Sequence, residues 1–288
     1  MVTNYKQLSF LFGFFSFLII FTSGCAKQST FVNVNLPIDE VDLINNNNNN
    51  NQNPLPIPDD AIIDDTNDSN SNSNPVVEDI KDQPEEVVQV EVPSKLELDV
   101  DFAPQAPFSN WNELNEEACE EASMITVAKY FFNEPLNESI MEKEIINLDK
   151  WERERGYKID LSANQVVEVL KNYYQINSRV VEEVTVDRIK YELSMGNLII
   201  VPADGRELEN PYFKYPGPIY HMLVIRGYNS NEFITNEVGT KRGDGFRYKY
   251  QKLIDAVHDW NPSWSHYEVT DGQMGSQPKR MVVVSGKI

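Results

Sequence analysis

The sequence predicts an α+β domain in which helices come first and pack on an antiparallel sheet that follows. Three observations carry that expectation. Apolar residues recur at helical spacing between about 115 and 193. From residue 198 onward the pattern changes to short apolar runs and alternation. The runs are joined by short turn-forming stretches such as Asn229-Ser230-Asn231, which suit hairpins. Helices first and strands later is the signature of an α+β arrangement.

The chain opens with a weakly basic Lys6 ahead of an apolar run, residues 8–21. That run is shorter than the roughly 20 residues a membrane span needs, and it suits a signal sequence. It leads into Thr22-Ser23-Gly24-Cys25, which resembles a bacterial lipobox, with Thr22 where Leu is usual. Residues 1–24 are therefore expected to be a lipoprotein signal peptide. Cys25 is the expected lipidation site, and the exported chain would be anchored to the membrane by its lipid. The plainer alternative is an ordinary secretory signal with an incidental cysteine.

Residues 25–99 read as a disordered tether. They hold the asparagine run 45–51, a Ser/Asn/Asp repeat around residues 68–74 and scattered prolines among acidic residues. Apolar residues come in isolated pairs, too sparse to offset the entropy of ordering. A mucin-like or prion-like interaction segment is the alternative. The formal charge of −20 excludes nucleic acid as an expected partner, because phosphate binding needs clustered Lys and Arg.

Residues 100–288 are expected to form one domain. Its first strong helix covers residues 115–132, with Asn115 as the expected N-cap and Asn133 and Pro135 as stops. Cys119 falls in its first turn, where the helix dipole and unpaired N–H groups favour thiolate. A small buried core residue would suit the same place. A second helix is expected over 136–148. Ser162 and Gln165 form a capping box for a third, and Thr185 caps a fourth that ends at Gly196. Strands are expected at 198–201, 221–228, 232–236 and 280–284, with a further helix over 250–260.

Of the three histidines, His221 stands at the mouth of an apolar strand after a Pro/Gly loop, whereas His258 and His266 fit solvated surface positions. A hairpin across 229–231 brings the end of 232–236 beside the start of 221–228. Glu237 or Asn236 can then reach His221 and orient its ring. Cysteine at a helix start, then histidine, then a carboxylate or amide is an order that suits a cysteine peptidase, with the sulfur expected within hydrogen-bond reach of the imidazole.

The blocks Gln105-Ala106-Pro107, Ala118-Cys119-Glu120-Glu121-Ala122-Ser123, Val201-Pro202-Ala203-Asp204-Gly205, His221 through Tyr228 and Asn236-Glu237-Val238-Gly239-Thr240 resemble the bacteriocin-processing, double-glycine-leader peptidase family. The closer likeness is to its stand-alone relatives, which carry Asp-Pro where this chain has Glu237-Val238. The resemblance implies a papain-like fold and amide hydrolysis through an acyl-enzyme. It also implies Cys119 as nucleophile, His221 as general base and acid, Glu237 as orienting group and Gln105 as an oxyanion donor. It implies no cofactor; the expected partners are a peptide, protein or cell-envelope substrate and the membrane. A catalytically weak domain that binds peptides or envelope polymers is the alternative.

Overall fold

The computed structural model describes residues 28–37 and 85–288. The signal-peptide residues and Cys25 lie outside them. In chain order the strands are β1 (Ser29–Pro37), β2 (Glu85–Pro93), β3 (Leu96–Glu97), β4 (Ile176–Val181), β5 (Leu198–Ala203), β6 (His221–Tyr228), β7 (Glu232–Asn236), β8 (Asp244–Lys249) and β9 (Met281–Lys287). The helices are α1 (Glu113–Glu116), α2 (Cys119–Phe132), α3 (Glu138–Glu154), α4 (Ala163–Asn172), α5 (Val186–Ser194), α6 (Tyr250–Ala256) and α7 (Asp271–Met274).

The main sheet runs β4-β9-β5-β6-β7-β8, with β3 added against β6, and every pairing in it is antiparallel. Alternation along the strands divides the core into two layers. Leu198, Ile200, Met222, Val224, Val282 and Val284 pack under α2, α3 and α4. Ile199, Val201, Leu223, Ile225, Met281 and Val283 pack with Ile189 and Leu193 of α5 and Leu253 of α6. Because both faces are covered, β6 is buried along its whole length.

Local chemistry explains most helix starts. Asn137 caps α3, Ser162 and Gln165 close the expected box on α4, and Thr185 caps α5. The start of α2 differs from expectation. Asn112, not Asn115, is the cap: it accepts from Asn115 N and starts the one-turn α1. The chain breaks at Glu117, and α2 begins afresh at Cys119. Residues 250–260 are helical only to Ala256, because Val257 leaves the helix to bridge Ala203.

The tether reading also needs correction. β1 and β2 form a nine-pair antiparallel ladder with Ser29 opposite Pro93 and Pro37 opposite Glu85. Val32, Val34, Leu36 and Val92 bury against Tyr191 of α5, and Arg188 Nη1 donates to Asn35 O at 2.5 Å. The folded unit thus includes residues 28–37 and 85–99 of that segment, and residues 38–84 lie outside the described ones. The alternation of Val32, Val34 and Leu36 gives half a core, and the exposed face of α5 supplies the other half.

Candidate active site

Cys119 is the first helical residue of α2 and is only 6% exposed. No side chain caps this helix, so the amides of its first turn are left facing the thiol end. The turn that delivers the cysteine is braced from below. Gln105 Nε2 donates to Asn115 O at 3.0 Å and Glu116 O at 3.1 Å, and Gln105 N donates to Val238 O. Both amide protons of Gln105 are therefore spent on α1 as the site stands.

The sulfur donates to Glu120 Oε2 at 3.0 Å. Glu120 is buried, and its other oxygen accepts from Leu161 N at 3.1 Å. Burial, followed by the charge and hydrogen bond of Glu120 and the charges of Glu121 and Asp160, pushes the thiol well above its ordinary pKa. Burial and its acidic neighbours push Glu120 up in turn. At rest, Cys119 is a thiol.

His221 opens β6, and its Nε2 lies 2.5 Å from Glu237 Oε1. Glu237 is fully buried and accepts two further donors, Gly239 N at 3.0 Å and Tyr248 Oη at 2.7 Å. Tyr248 Oη in turn accepts from Asn210 Nδ2 at 2.8 Å. A carboxylate surrounded by donors fixes the tautomer: Nε2 carries the proton, and Nδ1 presents its lone pair. Among the described residues, Nδ1 has no hydrogen-bond partner. Phe213 holds the ring edge-on at 5.2 Å.

Asn236, the other candidate for orienting the ring, makes no hydrogen bond to His221. Its alternation turns it to the other face of the sheet, where Nδ2 donates to Asp101 O at 2.8 Å. Glu237, standing where the resemblance has the shorter aspartate, reaches His221 Nε2 and also accepts from Gly239 N.

The structure brings His221, Glu237 and Tyr248 together, but it does not join Cys119 to His221 by a hydrogen bond. The reason lies in the strand. His221 is the ladder partner of Ala203 and shares its face with Leu223 and Ile225, while Tyr220, Met222 and Val224 face the layer that contains Cys119. Thiol and imidazole flank the start of β6, each held by its own carboxylate.

The sequence reading missed Tyr248 and Asn210, and it took Glu120 only as one of several acids crowding the thiol. Phe246 and Tyr248 alternate with Arg247 and Lys249, a strand signal that places Tyr248 inward. The other two histidines are not plain surface residues either. His258 is 9% exposed and bonds Gln277 O at 2.8 Å. His266 lies between Asp160 (Nδ1, 2.7 Å) and Glu117 (Nε2, 3.3 Å), which raise its pKa to about 10. Among the described residues, no helix is long and apolar enough to cross a membrane.

Residues 97–268 match the model of the Peptidase_C39 like family. No curated protein matches the chain. Among solved structures, a chain from Bacillus anthracis assigned as a C39-like peptidase is similar at 13% identity, covering 67% of this chain and 98% of that one with a TM-score of 0.43.

Proposed function

The chain belongs to the Peptidase_C39 like family, with the α+β papain-like fold, and on that premise we propose that it is a cysteine peptidase whose nucleophile is Cys119. The observation that carries this reading is the His221–Glu237 bond at 2.5 Å, which leaves Nδ1 as the open base of the pair. In the reaction, Nδ1 takes the thiol proton and the sulfur attacks the substrate carbonyl. The imidazolium then protonates the leaving amine, and water repeats the sequence on the acyl-enzyme. The uncapped amides of α2 are the nearest fixed donors for the oxyanion. Gln105 joins them only by releasing a carbonyl of α1.

Before any of this, the sulfur must exchange Glu120 for His221. That requirement favours a second reading, a catalytically weak domain that binds peptides or envelope polymers. Labelling with an epoxysuccinyl peptide separates the two. The peptidase forms a thioether at Cys119 at a rate that collapses in His221→Ala. A binding domain gives no label, or one indifferent to His221.

We further propose that the protein is exported and held at the membrane by a lipid on Cys25, its substrate being a peptide, protein or envelope polymer there. The support is the apolar run 8–21 ending at Gly24-Cys25. Metabolic labelling with a fatty acid should mark the wild type and not Cys25→Ser. Label in both, or in neither, defeats this reading.

A further inference from the structure

Charge is distributed unevenly about the site. On the thiol side, Glu113 and Glu116 of α1 and its cap Glu117 lead into Cys119. On the imidazole side, two loops meet beside His221. One, residues 204–220, leads into β6 and packs Phe213 edge-on against the ring at 5.2 Å. The other, residues 237–243, follows β7 and turns back through the Glu237 N to Gly243 O bond at 3.0 Å. Gly239 sits where the loops meet, since a Cβ there would lie 2.8 Å from Phe213 Cε1 and 2.9 Å from His221 Cε1.

Acids outnumber bases 45 to 25 in the chain, yet the exposed charge of these two loops is positive. Lys214, Lys241 and Arg242 all face solvent, and none pairs with a carboxylate among the described residues. The neighbouring acids are mostly engaged. Lys252 holds Glu209 at 3.0 Å, Arg226 holds Asp244 at 3.0 Å, and the buried Asp204 takes Arg206 N and Glu207 N. Glu207 is the one exposed acid of the two loops left without a partner among the described residues, against three cations. The cations are held in place. The Arg242 guanidinium lies over the Tyr212 ring at 4.7 Å, Asn210 Oδ1 takes Tyr212 N at 2.9 Å, and Gly217 N donates to Lys214 O at 2.7 Å. Tyr215, 94% exposed beside Lys214, adds a phenol to the same rim.

We propose that this rim, with Lys214, Lys241 and Arg242 as its charges, docks an acidic stretch of the peptide substrate beside His221. Arg and Lys give carboxylates charge-assisted hydrogen bonds, and a guanidinium already stacked on a ring loses little freedom on binding. Complementary charge acts mainly on selectivity, favouring acidic peptides over neutral ones of the same length. The acids of α1 oppose the same stretch on the thiol side, which confines it to the His221 side. Nucleic acid fits poorly, because three cations on a chain of charge −20 are too few for a phosphate backbone. That the acidic stretch belongs to a substrate rests on the peptidase reading; that the rim binds it does not.

The test begins with binding to the full chain carrying Cys119→Ala, which cannot turn over. Acetyl-tetraglutamate amide and its tetraglutamine analogue are titrated by calorimetry. At low ionic strength tetraglutamate should bind about tenfold tighter, the combined scale of several exposed pairs, and the advantage should vanish near about 0.5 M salt. Undirected attraction cannot give that order, because the chain as a whole is anionic. Lys214→Gln combined with Arg242→Gln should bring the two peptides within about twofold. Lys171→Gln, an exposed cation at the end of α4, should keep the full preference. If the double variant loses the near-ultraviolet circular dichroism of the parent, the single variants decide, each reducing the preference to about threefold. No measurable binding, equal affinity for both peptides, a preference that survives in the folded double variant, or one lost equally in Lys171→Gln overturns the proposal. The link to substrate is read in the wild type, where a glutamate-bearing epoxysuccinyl peptide should label Cys119 faster than its glutamine analogue by a similar factor. Equal labelling rates beside selective tetraglutamate binding would place the rim outside the substrate path and overturn its assignment to substrate. Selective binding in a protein that no epoxide labels upholds the rim and sinks the peptidase reading instead.

Discussion

Tyr248 and His221 share no hydrogen bond, yet both are fastened to the same buried carboxylate: Tyr248 Oη to Glu237 Oε2 at 2.7 Å and His221 Nε2 to Glu237 Oε1 at 2.5 Å. Burial and the Glu237 charge push the Tyr248 hydroxyl far above its ordinary pKa, so it remains a neutral donor throughout the working range. Tyr248→Phe therefore leaves Glu237 Oε2 and the Asn210 amide without their shared partner. The protein should lose about 1–3 kcal/mol of stability. In a peptide-cleavage assay, kcat should fall about tenfold with KM little changed, since the hydroxyl acts only by holding the carboxylate. An unchanged kcat in a folded variant would show that Glu237 needs no second anchor.

Gly239 is the second support of the imidazole. A Cβ there would lie 2.9 Å from His221 Cε1 and 2.8 Å from Phe213 Cε1. Relieving the contact with His221 shifts the ring that Glu237 holds. Gly239→Ala should cost about 1–3 kcal/mol by overpacking and about a hundredfold in kcat by displacing the base. A variant with normal kinetics would mean that the ring has freedom its packing does not suggest.

Stability should fall as pH rises. Glu121 and Glu152 have folded pKa values of about 7 and about 11 against about 4.5 unfolded, and His266 about 10 against about 6.5. All three are raised, so the folded state binds protons more tightly than the unfolded chain. The stability tied to them is complete below the unfolded values and is lost as pH climbs through the folded ones. Thermal unfolding of the full chain should therefore show Tm declining from about pH 5 to pH 10. In Glu152→Gln the decline should be shallower, because the partner of Glu121 no longer titrates. A Tm that rises over this range would contradict the buried-acid arrangement.

Much of this was legible in the sequence. The spacing of Cys119, His221 and Glu237 foretold a helix start, a strand mouth and a hairpin partner, and the hairpin brings the last two within 2.5 Å. Such local rules act through turns and alternation that a few residues specify. What was not legible depended on partners distant in the chain. Val32, Val34 and Leu36 look too sparse for a core until α5 offers Tyr191. Glu120 reads as one of several acids beside the thiol, but only Leu161 N, 41 positions later, shows what anchors its buried carboxyl. The face of β6 that His221 occupies is set by its register with Ala203, which only the assembled sheet reveals.

The state of Cys119 is where the sequence and the structure part most usefully. A cysteine at an uncapped helix start should be acidic, but burial and three neighbouring acids outweigh the dipole and hold the proton on sulfur. A raised thiol pKa means that thiolate forms only at higher pH. Alkylation of the resting protein by iodoacetamide should therefore begin above the ordinary range near 8.5, not below it. Glu120→Gln removes the nearest charge, and with its single oxygen kept on Leu161 N its NH2 faces the sulfur and donates to the thiolate, so the onset should move to lower pH. His221→Ala should leave this resting profile nearly unchanged, because no hydrogen bond ties the imidazole to the sulfur at rest. An epoxysuccinyl peptide asks a different question, since it occupies the cleft and reacts only where the base can reach the thiol. Its rate should fall at least about a hundredfold in His221→Ala, in keeping with the usual weight of a general base. If iodoacetamide reacts early and Glu120→Gln makes no difference, Glu120 is not what holds the proton. If the epoxide labels His221→Ala as fast as wild type, His221 is not the base.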